Sequence, residues 1–166
     1  MEIVDPTRKR VSLLNTGMVQ ALKVVEAYNL HTFPNLHCLR NLARQEDIII
    51  GSFPFKGRIT ETYIRTPDGI ALLTVKRGLP EAELKHALAH GLGHHFLHKA
   101  PGIYVQKILE SRLEEDAEDF AAVLLVPPAA LKSMGKRISP REMAHLSRIP
   151  YPLACRRADL AEKYML

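Results

Sequence analysis

His90-Gly91-Leu92-Gly93-His94 sets two histidines four residues apart inside a run, Pro80 to Lys99, that reads as one helix. At that spacing both imidazoles project from one helix face, where they can hold a single metal ion. His86 and His98 extend the ladder by one turn in each direction. At about 100° per residue the ladder drifts roughly 40° per step, so one ion takes only one adjacent pair. The competing reading is a helix that is merely rich in histidine, with some rings in solvent and some packed in the core.

The flanks support the helix. Pro80 stands at its start, Glu81 and Glu83 lie in the first turn where the helix dipole favours acids, and Pro101-Gly102 ends it. Gly91 and Gly93 each weaken a helix interior by about 0.5–1 kcal/mol, so packing and metal ligation, not local propensity, must hold it. In an HExxH motif the residue after the first histidine is the glutamate that activates the metal-bound water. Here that position is Gly91.

A site with two helical histidines needs a third protein ligand and usually keeps an open position for water. The segment Glu110 to Asp119 concentrates acids, and Phe120 to Val126 then turns wholly apolar before Pro127-Pro128. Glu114 shares a face with Ala117, Ala121 and Leu124 or Leu125, so its carboxylate points toward the core and requires a metal or cation there. Glu118, one turn on, is placed to accept a hydrogen bond from the outer nitrogen of His90 or His94. Glu115, Asp116 and Asp119 are expected in solvent. The competing reading makes the whole acidic run an exposed face paired with Lys107 and Arg112.

The rest of the chain supplies an α+β fold. Apolar positions Leu14, Met18, Leu22, Val25 and Tyr28 predict a helix over residues 11–29, and Asn35 can cap a second one through Ala43. Ile48-Ile49-Ile50 reads as a strand running into a loop, and residues 58–65 and 70–76 read as a hairpin around Thr66-Pro67-Asp68-Gly69. A second long helix is expected from Tyr104 to Val126. Ser139-Pro140-Arg141-Glu142 looks like a capping box, and Pro152 introduces a last helix from Leu153 to about Met165. The expectation is one domain over 1–166: an N-terminal helix in 1–34, a metal-site core in 35–127 and a basic helical tail in 128–166. In the core, a small antiparallel sheet of about three strands packs on the HxxxH helix and the acidic/apolar helix.

Composition narrows the function classes. Cys38 and Cys155 lack CxxC partners, so neither a disulfide framework nor a thiolate zinc site is expected. No apolar run approaches the roughly 18 residues of a membrane span, and the start carries no apolar signal segment, so no membrane contact and a cytoplasmic location are expected. The net charge of +5 is concentrated in residues 132–163, where eight Lys or Arg face three acids. That surplus suits either a solvated basic surface or a DNA or acidic-protein partner. Gly51 and Gly57 carry no phosphate-loop pattern. Tyr104 can either reach the cleft to hydrogen-bond a peptide carbonyl or simply pack; His31, His37 and His145 are read as surface or core residues.

The two signatures together, Ala87 to His98 and Glu114 to Pro127, resemble the ImmA/IrrE family of zinc metallopeptidase-like proteins, whose members read LAHELGHxLLH and then ExEADxFAxxLLxP. The resemblance extends loosely over residues 35–163. It implies Zn2+ held by His90, His94 and Glu114, with Glu118 replacing an aspartate one turn later. It also implies a protein substrate, often a transcriptional repressor in phage, mobile-element or stress-response settings. Gly91 falls on the catalytic glutamate and offers no carboxylate. The resemblance therefore implies a metal-binding, metallopeptidase-like protein whose hydrolysis is impaired or absent, or a silent relative that binds a repressor or DNA through its basic C-terminal helices.

Overall fold

The computed structural model describes residues 15–105, 112–135 and 137–166. Asn15 starts α1 (Thr16–Ala27), its side chain accepting from the Met18 N–H at 2.7 Å. Asn35 starts α2 (Leu36–Gln45) in the same way through Cys38 at 2.9 Å. There follow β1 (Ile48–Phe53), β2 (Glu61–Arg65), β3 (Ala71–Lys76), α3 (Glu81–Leu97), β4 (Gly102–Val105) and α4 (Arg112–Leu125). Three further helices complete the described chain: α5 (Pro128–Ser133), α6 (Pro140–Ser147) and α7 (Tyr151–Tyr164). The expected helix positions Leu14 and Lys107 lie outside the described residues.

The fold is α+β, but the sheet is mixed and four-stranded, in the order β1-β3-β2-β4. The β2–β3 hairpin turns where Pro67-Asp68-Gly69 requires it: the Thr66 N–H donates to Ile70 O at 2.9 Å and Gly69 takes φ +92°. Because the hairpin reverses direction, β3 returns alongside β1 in parallel, which a purely antiparallel reading excludes. The fourth strand is β4. Tyr104 does not open a helix; it pairs with Tyr63 on the free edge of β2, whose backbone supplies the hydrogen bonds that Ile103 and Val105 need.

Alternation along the strands sends Glu61 and Tyr63 of β2 and Ala71, Leu73 and Val75 of β3 to the buried face. Helix α3 is buried without interruption from Ala87 to His95, and α4 is buried from Asp119 to Leu125. A Cβ at Gly93 would lie 3.1 Å from the Ala117 carbonyl oxygen and 3.2 Å from the Phe120 ring, so this glycine lets α3 and α4 approach closely.

In the tail, Ser139 and Glu142 form the expected capping box: Ser139 Oγ accepts from the Glu142 N–H at 3.2 Å, and Glu142 Oε2 accepts from the Ser139 N–H at 2.9 Å. Ser139→Ala is expected to lower stability by about 1 kcal/mol, seen as a lower urea midpoint at unchanged slope. An unchanged midpoint would show that α6 does not depend on its cap.

Two of the basic residues are tied to the body of the fold, one of them within the core. Arg157 is fully buried, donates from Nε to Val126 O at 2.8 Å, and is pushed down to about 10 by burial. Arg156 Nε meets Asp119 Oδ1 at 2.5 Å, and Asn15 also donates to this carboxylate at 2.7 Å. Asp119 is therefore buried, not solvated as its place in the acidic run suggests, because α7 and the start of α1 close over it. Burial pushes its carboxyl upward against the pull of Arg156.

Candidate metal centre

Helix α3 delivers His90 and His94, both with no exposed surface, their rings nearly perpendicular at 4.8 Å between centroids. The α3–α4 approach at Gly93 brings Glu114 onto the same point. One of its oxygens lies 3.2 Å from His94 Nε2 and the other 3.4 Å from His90 Nε2. Ligand atoms about 2.0–2.1 Å from a tetrahedral ion stand about 3.3–3.4 Å apart, and the two Glu114 separations fall near that range. Among the described residues, His90 Nε2 and His94 Nε2 are buried with no hydrogen-bond partner. Two orphaned ring nitrogens beside one carboxylate are an arrangement an ion would satisfy.

The strand side of the site adds a residue that the sequence reading missed. Glu61 on β2 is fully buried and its Oε1 accepts from His90 Nδ1 at 2.8 Å. That bond fixes the tautomer in which the Nε2 lone pair is free for a metal. Glu61, His90 and His94 also bring one potential ligand atom each within 4.8 Å of one another. Burial alone would depress the His90 pKa, but the Glu61 hydrogen bond and charge, with Glu118 and Glu114 adding to them, raise it to about 8.

Glu118 takes a different place from the one expected. Its Oε2 lies 2.8 Å from His86 Nε2 and its Oε1 3.6 Å from His90 Nε2, so it approaches His90 from the metal side. The outer nitrogen of His90 faces the sheet, beyond the reach of α4, which is why Glu61 holds it. Phase could have revealed Glu61: it alternates with buried Tyr63, the argument that singled out Glu114 on its helix.

The neighbouring aromatics wall the site. The His94 ring lies nearly parallel to Tyr63 at 6.4 Å and to Tyr104 at 5.0 Å, the two tyrosines themselves being 6.0 Å apart, and Tyr104 also stacks on His98 at 5.1 Å. The Tyr104 hydroxyl donates to Ala100 O at 3.4 Å. His95 is committed elsewhere, its Nδ1 to Tyr63 and Arg65 at 2.8 and 3.0 Å and its Nε2 to Glu46 at 3.1 Å.

Residues 45–159 match the model of the IrrE N-terminal-like domain, peptidase M78. The chain belongs to that family. The matched span takes in every donor described above, from Glu61 to Glu118. A search of curated proteins found no match. Within the IrrE N-terminal-like family this chain is metallopeptidase-like in its donor set, and it carries Gly91 directly after the first histidine. No helix among the described residues is long and apolar enough to cross a membrane.

Proposed function

We propose that this protein binds one zinc ion through His90, His94 and Glu114, with Glu61 orienting His90, and that its peptidase activity is impaired or absent. The observation that carries the metal is the convergence of two orphaned imidazole nitrogens on the two oxygens of Glu114. Zinc held there would polarise a scissile carbonyl and acidify a bound water. The chain's own contribution to proton transfer is what is missing. Gly91 offers no acceptor, and losing a general base costs about 10²–10⁴ in rate. His95 cannot replace it, since both its nitrogens are occupied and burial depresses its pKa. A cavity of about 370 Å³ lies beside His86 and Glu118, one turn of the helix from His90. A transcriptional repressor is the substrate or partner class we propose.

Metal analysis of purified protein tests the reading. One zinc per chain is expected, with a large loss in His90→Ala and in Glu114→Ala. Substoichiometric zinc that neither substitution changes would sink it.

A second reading, a regulatory protein that binds DNA or a repressor through the basic C-terminal helices, draws on the exposed Lys132, Arg137, Arg141 and Lys163. Arg156 and Arg157 do not serve it, being bound to Asp119 and Val126. A DNA affinity that falls steeply with salt and is lost in Arg137→Ala/Arg141→Ala would support the DNA version.

A further inference from the structure

Gly91 faces β3, and a Cβ built on it would run into the Cδ1 of Leu73, with Cδ2 at 2.9 Å and Cγ at 3.1 Å. Leu73 is fully buried and sits opposite Tyr63 in the β2–β3 register. The space into which a side chain at position 91 would point is therefore filled by core leucine. The strand beside it carries Glu61, whose Oε2 is buried with no hydrogen-bond partner among the described residues. A carboxylate at 91 would thus need room that Leu73 occupies and would be set against an apolar side chain.

From this packing we infer that Gly91 and Leu73 are a matched pair: Leu73 plugs the position of the absent proton acceptor, so an acid cannot be restored there by one substitution. The inference rests on the metal-centre reading for its catalytic meaning, while the steric pairing stands on packing alone. A bare helix glycine behaves differently. Replacing it by alanine ordinarily raises stability, because alanine is the better helix former. Against a filled position the sign reverses, since overpacking a core forces its neighbours off their preferred rotamers.

The test is a thermal-unfolding cycle on the full chain with Gly91→Ala, Leu73→Ala and the double variant, together with zinc content and peptide cleavage for Gly91→Glu and Gly91→Glu/Leu73→Ala. Gly91→Ala is expected to lower the melting temperature by several degrees in the parent and to raise it when Leu73 is already alanine. Gly91→Glu alone is expected to gain no cleavage, whereas Gly91→Glu/Leu73→Ala gains zinc-dependent cleavage. A rise in melting temperature on Gly91→Ala in the parent would overturn the pairing, as would equal shifts in both backgrounds. Cleavage restored by Gly91→Glu alone would overturn it too. Zinc missing from every variant would instead remove the metal-centre reading, and the cycle of melting temperatures would still judge the packing.

Discussion

Zinc affinity is expected to rise about tenfold per pH unit from pH 6 to just below 8, because the ion must displace a proton from His90. In the metal-free protein His90 is held at about 8, above the usual imidazole value of 6.5. The raised value comes from Glu61 at 2.8 Å overriding the cost of burial. A raised imidazole stabilises the metal-free fold fully below pH 6.5, and that contribution, about 2 kcal/mol, is lost as the pH climbs through 8. Both effects come from one proton: acidity favours the empty fold and weakens the ion's hold. Competition titrations with a chromophoric chelator at several pH values measure the slope. Glu61→Gln removes the charge that raises His90, so it is expected to flatten this dependence while lowering affinity about 10- to 100-fold, as loss of an orienting partner commonly does. A wild-type affinity that does not change over this range would show that Glu61 does not control His90.

Phe120→Ala is expected to cost about 3–5 kcal/mol, a fall in melting temperature on the order of 10 °C for a chain of this size. The ring has no exposed surface, stacks on Phe96 at 5.7 Å, and lies where a Cβ on Gly93 would be 3.2 Å away. It fills the seam that the glycine opens between α3 and α4, so its loss leaves a cavity that the closely approached backbones cannot collapse to fill. Urea unfolding measures the cost, and a loss below about 1 kcal/mol would show that the seam is held by other contacts.

What the sequence disclosed about this fold depended on whether the deciding interaction was local. Pro67-Asp68-Gly69 and Ser139 with Glu142 act within a few residues, and both structures form where their chemistry requires. The placing of Glu114 also followed, because its helix carries its own phase reference in Ala117, Ala121 and Leu124. The parallel pairing of β1 with β3 was not legible, since nothing in Ile48-Ile49-Ile50 specifies a neighbour more than twenty residues away. Tyr104 lies on a strand and not at the helix start its sequence suggests for a related reason: a short edge strand draws its stability from β2 and not from its own pattern. Asp119 and Arg157 look like surface charges in sequence, and the packing of α7, with Asn15 at the start of α1 over Asp119, buries them. Glu61 differs from these, because its alternation with Tyr63 is local and places its carboxylate on the buried phase of the strand.

Arg157 has a consequence for the modularity of the chain. Its Nε closes the Val126 carbonyl just beyond the helix that carries Glu114, and its partner element begins only at Tyr151. The final helix therefore terminates the helix that carries Glu114 from a distance, as a keystone does an arch. Cutting the chain after Pro127 would expose an unsatisfied carbonyl and the apolar end of α4 together. Truncation there is therefore expected to destabilise the body that holds His90, His94 and Glu114, which a lower urea midpoint of the truncated chain would measure.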